Sequence, residues 1–210
     1  DDLVKRLEDL QTDDTPLGIL LGKKRREMLL KIDLLQARGD AVRFTGASIA
    51  LFGKPTQNLV DAANAFLRTQ AACDLPPPAK SLLSAEQVVP FFEEVLQRYG
   101  MHEWQVRVRE TLVSDCAVGG KRVYLRQGAR FSREHVAALI THEIETHALT
   151  AENGSYQPFE LFRRGFAGYL DTQEGLAVYN QNRVLSPHHE KRYSHARSVL
   201  ATAYAMIANG

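Results

Sequence analysis

The segment from Thr141 to Thr150 holds the residues of this chain that are best suited to chemistry. It reads THEIETHALT and places His142, Glu143 and His147 in an H-E-x-x-x-H pattern. Two neutral imidazole nitrogens can bind a zinc ion, and the carboxylate between them can act as a general base toward water. The segment therefore predicts a hydrolytic zinc site.

The two histidines are one residue further apart than in the H-E-x-x-H motif of helical zinc peptidases. On a regular α-helix, residues i and i+4 lie about 40° apart around the axis, whereas residues i and i+5 lie about 140° apart. His142 and His147 can bind one ion only if the helix widens or breaks between them. We therefore expect a π-bulge or a similar deviation from α-helical geometry at this point.

A third candidate ligand lies further along the chain, in the segment TQEGLAVYN. Gluzincin-type sites take two histidines from one helix and a glutamate from a later helix, and they leave a fourth position open. Glu174 fits this order. Asp171 and Glu174 also match a capping box, in which Glu174 would only accept a hydrogen bond from a backbone N–H at the start of a helix. The residues alone leave both roles open.

The two motifs together resemble a known family. HEIETHALTAENG followed by GYLDTQEGLAVYN resembles the bacterial proteins that are named for their QEGLA motif and were linked to flavohaemoglobin expression. The pair is also similar to the eukaryotic tubulin tyrosine carboxypeptidases, which share the H-E-x-x-x-H motif. The resemblance spans residues 44–182 and implies that His142, His147 and Glu174 bind one zinc ion per chain. It further implies that Glu143 activates water and that the reaction is peptide hydrolysis near a C-terminus.

Members of that family are considerably longer than 210 residues. This chain begins with Asp1 instead of Met and stops inside a predicted helix. We therefore expect a fragment of a longer protein, truncated at its C-terminal end.

The composition of the chain indicates its cellular compartment and excludes some classes of binding partner. The chain is 44% hydrophobic with a formal net charge of +1, so it can bury a substantial core but has no overall field that would recruit nucleic acid or an anionic membrane. No apolar run approaches the roughly 20 residues of a membrane span.

Cys73 and Cys116 lack C-x-x-C spacing and suit a reducing compartment, which predicts a cytoplasmic protein. Cys116 is expected to face the core, and the basic run Gly22–Glu27 to lie on a solvated helix face.

Helix and strand signals divide the chain into three parts. Residues 1–72 are predicted to be an N-terminal helical region. Residues 73–80 contain three consecutive prolines, which cannot continue a helix, and are predicted to be a linker. Residues 81–210 are predicted to be the catalytic core, of class α+β: a mainly helical, zincin-like core of the gluzincin type with a small antiparallel sheet.

Within this core, several short patterns predict individual elements. Ser84 and Gln87 form a capping box for a helix that ends before Gly100. Residues 104–108 alternate between apolar and polar, as in a half-buried strand, and residues 113–118 and 122–125 flank a Gly119-Gly120 hairpin turn. Ser132 is expected to cap the helix of the first motif. The predicted apolar face of that helix consists of Val136, Ala137, Leu139, Ile140 and Ile144.

Residues 154–168, between the two motifs, are predicted to be a loop followed by a turn. The default interpretation of Arg163 and Arg164 is surface charge. A carboxypeptidase, however, needs a guanidinium for the terminal carboxylate of its substrate, and either arginine is a candidate for that role. Tyr179 shares the helix of Glu174 and is a candidate oxyanion donor or else a packed core tyrosine. His188, His189 and His195 form a His-rich patch, interpreted as surface residues more readily than as a second metal site.

The leading functional prediction is a zinc-dependent, carboxypeptidase-like metallopeptidase acting on a peptide or protein C-terminus, without a nucleic-acid or membrane partner. One alternative is a non-catalytic metal-binding regulatory protein, in which a residue such as Glu145 closes the coordination shell. Another is a metallohydrolase acting on a different amide. The presence of Glu143 favours catalysis over the regulatory alternative, because a purely structural site needs no base.

Overall fold

The structure is a computed structural model that describes residues 2–70 and 82–185. These residues fall into two compact units, one of residues 2–70 and one of residues 82–185. The predicted linker at residues 73–80 and the patch of His188, His189 and His195 lie outside the described residues. The predicted domain bounds therefore stay predictions.

The first unit consists of helices in its described part. Thr15 caps the second of these helices, since its side chain accepts a hydrogen bond from the backbone N–H of Gly18, and Pro16 occupies the first helical position. In the basic run of this helix, Lys24 is paired with Glu27. The four helices are α1 (Asp2–Glu8), α2 (Pro16–Gln36), α3 (Ala41–Phe52) and α4 (Gln57–Gln70).

The second unit begins with a helix and two small sheets. Its helix α5 (Ala85–Arg98) starts at the predicted capping box, in which the Ser84 and Gln87 side chains both bond to backbone N–H groups. Gly100 follows with a φ of 69°, a conformation that favours glycine. The strands are β1 (Leu83–Ser84), β2 (Gln105–Arg109), β3 (Cys116–Gly119), β4 (Arg122–Arg126) and β5 (Arg130–Phe131).

The predicted hairpin is confirmed, with its turn one residue further along. Strands β3 and β4 are antiparallel and pair Gly119 with Arg122, so the turn residues are Gly120 and Lys121. Both have positive φ, 59° and 57°, as the two central residues of a type I′ turn require.

The prediction of an antiparallel sheet is wrong for one of its strand pairs. The three-stranded sheet has the order β2-β4-β3, and β2 runs parallel to β4. The reason is topological: β4 returns from the β3 hairpin and inserts between β3 and β2, which already run in opposite directions. Strand β3 consequently lies at an edge of this sheet. A separate two-stranded sheet pairs β1 with β5 in antiparallel fashion.

The rest of the second unit is helical. As predicted, the Ser132 side chain caps helix α6 (Arg133–Leu139), which continues into a π-helix (Ile140–Ala148) and then into α7 (Leu149–Ser155). The predicted loop at residues 154–168 contains a further short helix, α8 (Glu160–Arg164). The last described helix is α9 (Tyr169–Val184). None of the helices in the described ranges is long and apolar enough to cross a membrane.

The core of the second unit lies where α5, the sheet strands and the π-helix meet. One predicted core position was wrong: Ala137 is exposed, and Ala138 is buried in its place. Ala137 would share a face with Ile144 on a regular α-helix, but the wider turns of the π-helix shift this register. The fold class, α+β with mainly helical elements and small sheets, is confirmed. The largest fully buried side chains are Phe92, Phe131, Leu125, Ile144, Val88, Val123 and Thr146.

Candidate metal centre

The two histidines lie on the π-helix, which confirms the expected break in α-helical geometry. Backbone hydrogen bonds in a π-helix join residues five apart, and this widening brings residues five apart onto one side. The buried Thr146 stabilises the segment from within. Its hydroxyl donates to the Thr141 carbonyl oxygen at 2.9 Å and accepts from Asn180 Nδ2 at 3.1 Å. His142 and His147 consequently lie side by side, with ring centroids 4.9 Å apart.

The carboxylate of Glu174 lies against both imidazoles. Its Oε2 is 3.6 Å from His142 Nε2, and its Oε1 is 3.6 Å from His147 Nε2. One potential ligand atom from each of the three residues lies within 4.8 Å of the others. The two histidine side chains are mostly buried, whereas that of Glu174 is 51% exposed and faces the solvent side of the group.

The capping-box alternative for Glu174 is wrong. Helix α9 begins at Tyr169, with Gly168 as the residue that precedes its first turn. Asp171 is therefore already helical and cannot act as the N-cap. Glu174 lies a full turn inside the helix, where its side chain is directed to the histidines.

The three side chains could hold a zinc ion. Bonds of about 2.0–2.1 Å place two ligands of a tetrahedral zinc about 3.4 Å apart. The ligand atoms of the three residues lie within 4.8 Å of one another, so the side chains would have to move closer together to share one ion. Two imidazoles and one carboxylate form a donor set that zinc takes in open sites. Burial is the largest influence on the pKa of His147 and lowers it, which favours the neutral imidazole that binds metals.

Glu143 is placed to exchange protons at this site. Burial, followed by the nearby charge of Glu174, raises its pKa from 4.5 to about 7. A carboxyl with a pKa near neutrality can both accept and return a proton. Glu145, two residues on, is engaged elsewhere: its carboxylate accepts hydrogen bonds from the hydroxyls of Tyr99 and Thr141, each at 2.9 Å.

Two glutamine side chains of α9 contact the Nδ1 atoms of the two histidines. Gln181 Oε1 lies 2.9 Å from His142 Nδ1, and Gln173 Nε2 lies 3.2 Å from His147 Nδ1. Both glutamine side chains are buried. The sequence-based interpretation missed them. A signal was present, since Gln181 follows Glu174 by seven residues, which is two helical turns and therefore the same helix face.

A cleft of about 620 Å³ opens over the histidines, Glu143 and Glu174. Strand β3 and the hairpin turn line one part of it, and residues of α8 and α9 line another. Cys116 lines the cleft but is buried, as predicted, and burial raises the pKa of its thiol, so the thiolate is disfavoured.

The two predicted arginines both line this cleft. Arg163 Nη1 and Arg164 Nε each lie 3.0 Å from the same atom, Glu160 Oε1. Two guanidiniums therefore share one carboxylate, and the three side chains together carry a net positive charge.

Neither role predicted for Tyr179 is correct. Tyr179 is 63% exposed, stacks loosely with Arg183 and is not among the described residues that line the cleft. It follows Glu174 by five residues, which on the regular helix α9 places it about 140° away. Tyr169 lines the cleft in its place. Its ring packs on Gly165, where an added Cβ would lie 2.3 Å from Tyr169 Cδ1.

Comparison with known proteins identifies the family of the chain. The model of one protein family, described as microtubule-associated tyrosine carboxypeptidase, matches residues 1–206. No curated protein and no solved structure matches the chain. The resemblance to the tyrosine carboxypeptidases is confirmed by this match, while the closer likeness to the QEGLA proteins stays a prediction. The chain belongs to the microtubule-associated tyrosine carboxypeptidase family.

Proposed function

We propose that this protein is a zinc-dependent metallopeptidase with a zincin-like core of the gluzincin type, which binds one zinc ion per chain and removes residues from a peptide or protein C-terminus. The observation that carries the proposal is the meeting of His142, His147 and Glu174 at the base of a cleft that also contains Glu143. Membership of the carboxypeptidase family supports the same reaction class.

The chemistry follows from the residues around the cleft. His142, His147 and Glu174 would hold zinc, which when bound supplies the Lewis acidity for amide hydrolysis. Glu143, which lines the cleft beside these three residues, takes a proton from the attacking water and returns it to the departing amine. Burial of Glu143 keeps its carboxyl away from bulk solvent, so that both transfers take place inside the cleft.

Strand β3 offers a binding edge for the substrate backbone. Within the described residues β3 pairs with β4 on one side only, and its residues are among those that line the cleft. An extended peptide can add to such an edge as a further strand, with main-chain hydrogen bonds fixing its register. We propose that the substrate binds in this way beside Glu143.

Arg163 and Arg164 are the proposed ligands of the substrate's terminal carboxylate. Because they share one carboxylate oxygen of Glu160, at least one guanidinium keeps donors for a second partner. Lys121 also lines the cleft, but it is paired with two carboxylates, those of Glu103 and Glu152. This difference favours the arginines as the carboxylate site.

The residue removed is proposed to be tyrosine, after the name of the family. Trp104, Tyr169 and Leu170 line the cleft and give it the apolar surface that an aromatic side chain would contact. The cytoplasmic location, and the absence of a nucleic-acid or membrane partner, are proposals that rest on the cysteine usage and near-neutral charge of the chain.

The test combines metal analysis with cleavage of matched peptides. We expect about one zinc per purified chain, and release of a C-terminal tyrosine from a free-acid peptide that mass spectrometry can follow. Amidating that C-terminus should lower kcat/KM roughly tenfold to a hundredfold, because a charge-assisted contact is worth about 1.5–3 kcal/mol. Absence of zinc or of any cleavage would refute the proposal.

Arginine variants identify the carboxylate site. Arg163→Ala or Arg164→Ala should reduce cleavage of the free acid to the level of the amide, whereas Arg183→Ala, on the exposed part of α9 beside Tyr179, should keep the discrimination. Equal cleavage of the free-acid and amidated peptides by the unmodified protein would point to an endopeptidase. Among the alternatives, a non-catalytic metal protein would bind zinc without releasing any residue, and a hydrolase of another amide would cleave only non-peptide substrates.

A further inference from the structure

Gln181 lies behind His142, on the side of the ring away from Glu174. It is on the same face of α9 as Glu174, two turns later, and its side chain is 4% exposed. Its Oε1 is 2.9 Å from His142 Nδ1, a normal hydrogen-bond distance. One helix therefore supplies both the acidic group in front of His142 and an amide behind it.

The amide oxygen determines which nitrogen of His142 carries the proton. A neutral imidazole has one N–H donor and one acceptor nitrogen, and a carbonyl oxygen can only accept. When Nδ1–H donates to Gln181 Oε1, the lone pair lies on Nε2, and Nε2 is the atom that faces Glu174 at 3.6 Å. This is the tautomer in which Nε2 can bind a metal.

The opposite amide orientation would have the opposite effect. If Gln181 turned its Nε2 toward His142, Nδ1 would have to accept, and the proton would sit on Nε2. In the arrangement observed, Gln181 Nε2 is buried without a hydrogen-bond partner among the described residues.

Gln173 is less specific in its contacts. Its Nε2 lies 3.2 Å from His147 Nδ1, but it also lies 3.3 Å from both the Thr146 carbonyl oxygen and Thr150 Oγ1. The Gln173 amide is thus shared among three partners, whereas within the described residues the Gln181 side chain forms a hydrogen bond with His142 alone.

We propose that Gln181 is a positioning residue that holds His142 in the Nδ1-protonated tautomer and thereby raises the affinity of the site for zinc. The inference rests on the proposed zinc site. Contacts of this kind behind a ligating histidine typically contribute a factor of about 10–100 to metal affinity.

The test measures zinc affinity by competition with a chromophoric chelator at neutral pH. Gln181→Met keeps the size of the side chain but removes its acceptor, and it should weaken zinc binding roughly tenfold to a hundredfold. Gln97→Met, on an exposed position of α5, makes the same chemical change away from the site and should leave affinity unchanged. Gln181→Glu keeps an acceptor oxygen at the same position and should stay within about threefold of the unmodified protein.

A second measurement needs no variant and covers the case in which Gln181→Met does not fold. Long-range ¹H–¹⁵N NMR of the histidine-labelled, zinc-loaded protein should show His142 protonated at Nδ1 and bound through Nε2. Binding through Nδ1 would overturn the inference, as would unchanged affinity in a folded Gln181→Met variant or equal losses in the Met and Glu variants. Failure of the unmodified protein to bind zinc would instead refute the proposed function itself.

Discussion

Glu143 shows how strongly the surroundings of a single residue can change its chemistry. Glu143 and Glu145 lie two residues apart on one π-helix, but only Glu143 lines the cleft. Burial and the charge of Glu174 raise the pKa of Glu143 to about 7, whereas the carboxylate of Glu145 is bound by two hydroxyls on another side of the helix. Proton transfer in the proposed reaction is therefore assigned to Glu143 alone.

Replacing Glu143 with Gln should remove peptide hydrolysis while leaving about one zinc per chain. The amide keeps the shape of the side chain but cannot accept a proton, so the loss should fall on kcat, by at least about 10²-fold. Glu145→Gln is the matched control and should keep most of the activity. Wild-type turnover in Glu143→Gln, measured by tyrosine release and metal analysis on the same samples, would exclude Glu143 as the base.

At the scale of elements, the π-helix depends on contacts from outside its own backbone. A run of nine residues in this geometry is long, since π-helices usually occur as single turns. Thr146 forms hydrogen bonds in both directions, to the Thr141 carbonyl within the segment and from the Asn180 amide of α9. The packing of α9 on the π-helix thus stabilises the conformation that brings the histidines together.

Thr146→Val should destabilise the metal-free protein by about 1–3 kcal/mol, because Val has nearly the same shape but removes the buried hydroxyl that bonds to the Thr141 carbonyl oxygen and to the partly buried Asn180 Nδ2. The measurement is urea unfolding followed by circular dichroism. Thr172→Val, at an exposed position of α9, should change stability by less than about 0.5 kcal/mol. Equal effects of the two substitutions would show that the Thr146 hydroxyl does not stabilise the π-helix.

The edge strand β3 is fixed at its start by Asp115. This carboxylate binds His135 of α6 at 3.3 Å and also Arg126 at the end of β4. The hydrogen bond from His135 and then that from Arg126 lower the pKa of Asp115 from 3.8 to about 2. The proposed binding edge is therefore tied to the helix that leads into the metal centre.

A lowered carboxyl pKa stabilises the folded state above the unfolded value, and the contribution is lost as pH falls through the folded value. Asp115 should contribute about 1 kcal/mol above pH 4, after allowance for solvent screening of a side chain that is 36% exposed, and almost nothing at pH 2. Urea midpoints of the unmodified protein and of Asp115→Asn should therefore converge as pH falls from 4 to 2. A constant difference between the two across this range would contradict the assignment.

At the scale of the whole molecule, the proposed ion would link two segments that are distant in sequence. The π-helix would supply two ligands and α9 the third, so binding would connect them in the folded state but not in the unfolded chain. A ligand that binds only the folded state stabilises it by about 2.7 kcal/mol at a concentration one hundredfold above its Kd.

Removal of zinc with a chelator should therefore lower Tm, by roughly 5–10 °C for a protein of this size. Differential scanning calorimetry of the zinc-loaded and chelated protein gives the measurement. His147→Ala should lose the zinc-dependent part of the shift, whereas His102→Ala, at an exposed position outside the cleft, should keep it. An equal zinc-dependent shift in both variants would place the ion elsewhere.

The sequence by itself determined the features that depend on neighbouring residues. The i, i+5 spacing of His142 and His147 predicted a departure from α-helical geometry, because angular position on a helix depends only on residue separation. The capping box at Ser84 and the cap at Ser132 were also predictable, because each depends on a hydrogen bond between groups three residues apart in sequence. The hairpin was predicted to within one residue.

Only the tertiary structure decided the features that depend on how distant segments pack. Glu174 matched both a ligand and a cap; the start of α9 at Tyr169 excluded the cap, and the packing of α9 placed the Glu174 carboxylate beside His142. The same packing placed Tyr169 in the cleft instead of Tyr179 and brought Gln181 to His142 across 39 residues of chain. The parallel pairing of β2 with β4 likewise required the order of strands in the sheet. Local patterns fix which hydrogen bonds a short segment can form, but the free energy that selects one arrangement of segments comes from burial between residues far apart in sequence.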